Sequence, residues 1–154
     1  MTRTLLGGWQ IAPIITVTSG ARFTPTTGTD NSRTGVGQDR PNLLGDPYVH
    51  GRSRTHWLNK ASFQANPIGT FGDTKPYSLV GPTYADIDAA VTRLFPLPET
   101  MQLEFRTECF NCLNHPNLLP ENGAANTTLT SSLFGTITTS YPPRILQLSL
   151  KLDF

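Results

Sequence analysis

The chain has 154 residues, enough for one domain of ordinary size or for part of a larger one. Hydrophobic residues make up 37% and charged residues 15%, both below the roughly 45–50% and 25% of soluble domains, and 13 Gly with 13 Pro disfavour a helix bundle. A net charge of +1 gives no case for nucleic acid, two cysteines cannot build a disulfide framework, and no apolar run is long enough for a membrane helix.

The opening residues MTRTLLGGWQ carry no secretory apolar stretch. Residues 9–19 form the first predicted strand. Trp9, Ile11, Ile15 and Val17 share one parity, and Gln10, Ala12, Thr16 and Thr18 share the other. Pro13 weakens this reading because proline removes a ladder donor, and Ile14 breaks the alternation. Residues 20–83 hold most of the Gly and Pro and read as a long loop. A second strand spans 84–95, where Ile87, Ala89 and Val91 alternate with Asp86, Asp88, Ala90 and Thr92. Pro96-Leu97-Pro98-Glu99 is a short turn, since proline fixes φ and lacks an N–H.

The third strand spans 100–112, with Met101, Leu103, Phe105, Thr107 and Cys109 alternating with Gln102, Glu104, Arg106 and Glu108. A sheet packed on a protein core can look like this, and so can a barrel wall around a watery interior. Residues 113–143 are a second long loop, rich in Asn, Thr and Pro, with room for a short strand near Gly135–Thr139. The fourth strand, 144–154, alternates Leu146, Leu148, Leu150, Leu152 and Phe154 with Gln147, Ser149, Lys151 and Asp153.

Each run is about 10–12 residues, and a transmembrane strand needs about 9–11. A short turn at one end and long loops at the other is the asymmetry of an outer-membrane barrel. If Phe154 ends on the periplasmic side, both long loops fall outside and the Pro-rich turn falls in the periplasm. Trp9, Phe95 and Phe154 then gather at the inner side, with Phe23 and Tyr84 near the outer, as interfacial aromatic girdles do.

Several segments carry a family likeness. GWQIAPIITVTSGARFTPTTGTDNSRTGVGQDRPN, FGDTKPYSLVGPTYADIDAAVTRLFPL, MQLEFRTECFNCLNHPN and FGTITTSYPPRILQLSLKLDF resemble, in this order, late strands and loops of TonB-dependent outer-membrane receptors. The similarity is greatest to the Oar-like, acidobacterial-type group. It implies an all-β fold: an antiparallel amphipathic sheet, the last four strands of a transmembrane β-barrel, open in isolation, with long loops on one side. It implies a C-terminal piece of a barrel usually of 22 strands, with a plug, a TonB box and a signal peptide upstream, and therefore an outer-membrane location. The implied partners are outer-membrane lipid, the remaining barrel and plug, TonB only through those upstream parts, and the barrel assembly machinery. The assembly signal carried over is Leu148, Leu150, Leu152 and Phe154; the glycine and tyrosine often seen earlier in that signal are missing here.

Other constellations point to no chemistry. Cys109-Phe110-Asn111-Cys112 with His115 suggests a redox pair or metal ligands, but residues three apart on a strand face opposite sides, and a structural zinc site wants four ligands. The two cysteines read as incidental small apolar residues. Asp30 to Pro41 resembles a calcium loop in outline, yet Pro41 stands where a bidentate Glu is needed. Asp86, Asp88, Glu104, Arg106 and Glu108 are the densest charges. No nucleophile or convergent histidine accompanies them, so they read as a lumen-facing wall, with Asp88 and Arg106 pairing across the hairpin. No enzyme activity, metal or cofactor is expected. Asp30, Arg33, Asp39 and Arg40 are loop residues able to touch a ligand, though nothing selects them over solvation. The alternatives are an Oar-like surface adhesion protein and a small soluble β-sandwich binding module.

Overall fold

The computed structural model describes residues 7–120 and 124–154. Among these, twelve strands follow in chain order: β1 Trp9–Thr18, β2 Arg22–Phe23, β3 Asn42–Leu43, β4 Tyr48–Ser53, β5 His56–Leu58, β6 Phe63–Gln64, β7 Leu79–Val80, β8 Tyr84–Pro96, β9 Gln102–Phe110, β10 Leu118–Leu119, β11 Thr139–Ser140 and β12 Ile145–Asp153. The regular structure besides these is two 3-10 turns, at Lys60–Ser62 and Ala125–Thr127. The fold is all-β, and every ladder whose register is resolved is antiparallel.

Two compact units divide the chain. The first is an open four-stranded sheet in the order β1-β8-β9-β12. Its strands are the ones whose sequences alternate. A period of two puts every second side chain on the same face, so alternation produces one apolar and one polar surface. The β8–β9 hairpin closes tightly: the Leu97 N–H donates to the Met101 carbonyl at 3.0 Å. Glu99 takes the left-handed conformation there, at φ 66°. β1 is an edge strand, which explains how it holds Pro13: on an edge, alternate N–H groups face away from the sheet, so a missing donor need not break the ladder.

The second unit comprises residues 19–84 and 117–141. Sequence reading expects long loops here, irregular or partly ordered; the described residues fold around a core of Phe23, Leu58, Phe63, Leu79 and Phe134. Tyr48, Trp57 and Leu129 pack on this cluster, and the Phe63 and Phe134 rings meet edge to face at 5.3 Å. Each buried side chain of this size contributes about 1.5–3 kcal/mol. The two excursions are stitched together by backbone: the Thr26 N–H donates to the Thr127 carbonyl at 2.9 Å, the Leu129 N–H returns to the Thr26 carbonyl at 2.8 Å, and the Ile137 N–H reaches the Arg54 carbonyl at 2.7 Å. Of the 113–143 excursion, residues 121–123 lie outside the described residues.

Two expectations change with this core. Phe23 is no girdle residue; it is 1% exposed at the centre of the second unit. The short strand expected near Gly135–Thr139 is Thr139–Ser140, paired with Leu118–Leu119. Gly135 cannot take part because it turns at φ 83° and packs its backbone against Leu58, where an added Cβ would lie 2.7 Å from the Leu58 oxygen. Tyr84 stacks edge to face on Tyr141 at 4.8 Å.

Candidate functional site

The site is the sheet with its two faces. Register sets which residues share a face. Glu104 lies opposite Lys151, Arg106 opposite Ser149 and Glu108 opposite Gln147 on the β12 side. On the β8 side the same three face Leu94, Thr92 and Ala90. Asp88 has the parity of Ala90, so it shares this face with Arg106. The two do not pair. Asp88 falls one step beyond the Ala89–Cys109 register while Arg106 sits opposite Thr92, a separation of four residues, about 13 Å along the strand at roughly 3.3 Å per residue. Each finds a nearer partner: Asp88 Oδ1 accepts the Asn111 N–H at 2.9 Å, and Arg106 Nε donates to Glu108 Oε1 at 3.0 Å. Lys151 pairs likewise with Asp153 at 2.9 Å, two residues along its own strand. Such exposed pairs add little to stability, because water and salt screen them; their value is to keep a charged, hydrated surface. Carboxylates outnumber cations on it. Among the described residues, no three His, Cys, Asp or Glu side chains converge to hold a metal ion.

The other face is apolar. Leu146, Leu148, Leu150 and Leu152 lie opposite Cys109, Thr107, Phe105 and Leu103. These in turn lie opposite Ala89, Val91, Arg93 and Phe95. Leu148, at 76% exposure, and Leu150, at 70%, have little contact within the chain. Phe154 is the most exposed of the expected assembly residues.

Arg93 is the one charge of β8 and β9 on that face, and the structure covers it. Its guanidinium lies 5.2 Å from the Trp9 ring and 4.5 Å from the Phe95 ring, and the residue is 5% exposed. Trp9 also meets Phe105 edge to face at 6.0 Å. This aromatic cage near the hairpin turn holds a cation on an apolar surface by ring quadrupole attraction. Sequence reading noted the aromatics but not the cage, because it depends on which strand neighbours which.

At the opposite end β9 runs into a hook, residues 111–116. Cys109 and Cys112 are joined by a disulfide across a Cα separation of 5.3 Å, which corrects their reading as incidental residues. The strand does end there: Asn111 turns left-handed at φ 49°, and that turn brings together two side chains that a continuing strand would hold on opposite faces. Asn111 is buried and clamps the hook, accepting the His115 N–H at 2.9 Å and donating to the His115 carbonyl at 3.0 Å. The composition Asn-Cys-Leu-Asn-His-Pro was the available signal, since Asn tolerates the left-handed region.

In the second unit the loop candidates divide. Asp39 is buried and its carboxylate serves the loop itself. Oδ2 accepts the Ser32 N–H at 2.6 Å, Oδ1 accepts the Ser32 hydroxyl at 2.7 Å, and Asn66 Nδ2 donates to Oδ2 at 3.2 Å. The Ser32 hydroxyl bond is the main cause that lowers its pKa from the ordinary carboxylate value, with the Ser32 N–H next. Asp30 likewise accepts the Thr34 and Gly35 N–H groups at 3.0 and 2.8 Å. These oxygens are spent fixing the loop from 30 to 39. Arg33 is exposed at φ 60°, and Arg40 is half-buried.

A family model described as an outer membrane beta barrel domain matches residues 1–147. No curated protein and no solved structure matches the chain.

Proposed function

The chain belongs to the outer membrane beta barrel domain family, which sets it in the outer membrane, and from that premise we propose that it forms part of the wall of a TonB-dependent receptor that takes up a scarce solute. The observation that carries this reading is the division of the sheet into an apolar face, led by Leu148 and Leu150, and a charged face with Glu104, Arg106 and Glu108. An apolar face suits lipid and a charged one suits water and a plug, the two environments of a wide barrel wall. The likeness of the strand and loop segments to Oar-like receptors supplies the rest. In this reading the β12 residues Leu148, Leu150, Leu152 and Phe154 are read by the barrel assembly machinery, while Asp86, Asp88, Glu104, Arg106 and Glu108 face the lumen. The remaining barrel, the plug and the TonB contact belong to other parts of the same protein. The chain has no catalytic role and needs no cofactor.

The test is cross-linking of the full protein in intact cells. A TonB adduct, together with solute uptake that stops when the inner-membrane proton gradient is collapsed, supports transport. Absence of both, with cell-surface binding retained, favours the second reading, an adhesion protein. That reading draws on the apolar side chains that the second unit leaves exposed, Val36, Ile68 and Phe71.

A further inference from the structure

A cavity of about 360 Å³ opens in the sheet unit at the end where the two excursions leave it. Ile15 and Val17 of β1 and Ala85 and Ile87 of β8 form its strand walls, and Leu113 and Pro116 of the hook close another side. We propose that this cavity seats one acyl chain of an outer-leaflet phosphoglycolipid. The inference rests on the reading of the apolar face as lipid-facing, and deepens it from a general solvent to one bound molecule.

Three observations carry it. The strand walls have the parity of Trp9 and Ala89, so the cavity is continuous with the face that carries Leu148 and Leu150. The hook is built to stay bent. Asn111 and Asn114 both adopt positive φ, at 49° and 52°, the left-handed region that Asn tolerates best among residues with a side chain. The disulfide, the Asn111–His115 clamp and the bond from the Arg144 N–H to Asn114 Oδ1 at 3.2 Å hold it there. Yet this fixed turn leaves Leu113 71% exposed. A stapled bend that presents an apolar side chain without burying it gains its packing from outside the chain.

The third observation selects the lipid. His115 lines the cavity, and Arg144 Nη1 lies 3.5 Å from the Cys112 carbonyl, on the same hook. An arginine fork and an imidazole are the groups that hold phosphate oxygens. In a barrel the long excursions lie on the cell exterior, so this end meets the outer leaflet, whose lipids are phosphorylated and multiply acylated. Asp86 is the one carboxylate of the lining; its parity is that of the charged face, so the cavity reaches round the end of the sheet beyond the apolar face.

The experiment isolates the protein from outer membranes, washes it in detergent, and counts bound lipid by native mass spectrometry. Wild type retains about one phosphoglycolipid per protein. Ala85→Trp keeps the wall apolar but fills the cavity with an indole, and occupancy falls at least tenfold. The Cys109→Ser, Cys112→Ser double variant releases the hook and loses lipid too. Ile11→Trp, on the same face but outside the cavity lining, retains it. Unchanged occupancy in Ala85→Trp overturns the seat while leaving the membrane reading intact. A glycerophospholipid in the cavity overturns the outer-leaflet assignment. Absence of wild type from the outer-membrane fraction overturns the membrane reading, and the seat with it.

Discussion

Replacing Leu148 by arginine separates a lipid-facing sheet from a sheet in water. Leu148 lies in the middle of β12, opposite Thr107, and is 76% exposed. Little in the chain packs against it. In water, therefore, Leu148→Arg changes stability by less than about 0.5 kcal/mol, as surface exchanges do. On a lipid face near the bilayer midplane, the same arginine costs about 2–4 kcal/mol. At about 1.4 kcal/mol per tenfold, that is a loss of about 30- to 700-fold in the ratio of folded to unfolded protein. Gln147→Arg is the control. It sits one residue away at nearly the same depth but on the charged face, opposite Glu108, where an added cation is tolerated. Urea titration of the protein refolded into lipid vesicles, read by tryptophan fluorescence, gives both midpoints. A large drop for Leu148→Arg beside an unchanged Gln147→Arg is expected. Equal midpoints for the two variants refute the assignment of faces.

Other consequences follow from single contacts. Arg93→Gln removes the charge between Trp9 and Phe95 and lowers stability by about 1–3 kcal/mol, the sum expected of two shielded ring contacts. Arg93→Lys recovers part of it, and a Trp57→Phe background lets Trp9 fluorescence report the cage; an unchanged emission and midpoint would show that the rings carry no cation. Asp39 has a folded-state pKa below 3.8, so its carboxylate stabilises the loop fully above that value and loses the effect as pH falls through the lowered one. Asp39→Asn flattens this dependence, and amide exchange at Ser32 between neutral pH and pH below about 3.8 measures it; identical acid sensitivity in the variant counts against the clamp. Gly72→Ala places a Cβ 1.8 Å from the Arg40 carbonyl oxygen. It costs the second unit about 1–3 kcal/mol by overpacking, visible as earlier proteolysis between residues 19 and 84 without change in the sheet.

The sheet was legible because its information is local. Leu146 to Phe154 and Leu103 to Cys109 each state their own period, and a period of two has one structural meaning at that length. β1 was harder to read because Pro13 and Ile14 break the pattern, and the break is tolerable only on an edge, a fact about neighbours rather than about β1. The second unit was illegible for the opposite reason. Its strands are mostly two or three residues long, so no period can develop, and Phe23, Leu58, Phe63, Leu79 and Phe134 look like isolated apolar residues among Gly, Pro and Thr. They form a core only once segments about 110 residues apart are joined, as Phe23 and Phe134 are. Pair-level detail failed likewise: parity put Asp88 and Arg106 on one face correctly, but register, which parity does not contain, keeps them apart.

Exposure on the sheet is itself an argument about solvent. Leucines at 50–76% exposure on β12 would, in a poorly packing protein, accompany loose packing elsewhere. The second unit of the same chain buries Phe23 and Ile137 to 1% and Leu79 to 2% with only short strands among its described residues. A sequence able to bring that core together from short segments does not leave Leu148, Leu150 and Leu152 uncovered on one continuous face by default. In water such a face, with open strand edges, invites aggregation. Against hydrocarbon it is the stable arrangement, and it needs apolar residues at only every second strand position. The modest hydrophobic fraction of the chain is therefore sufficient for a closed core in the second unit and for one continuous apolar face on the sheet.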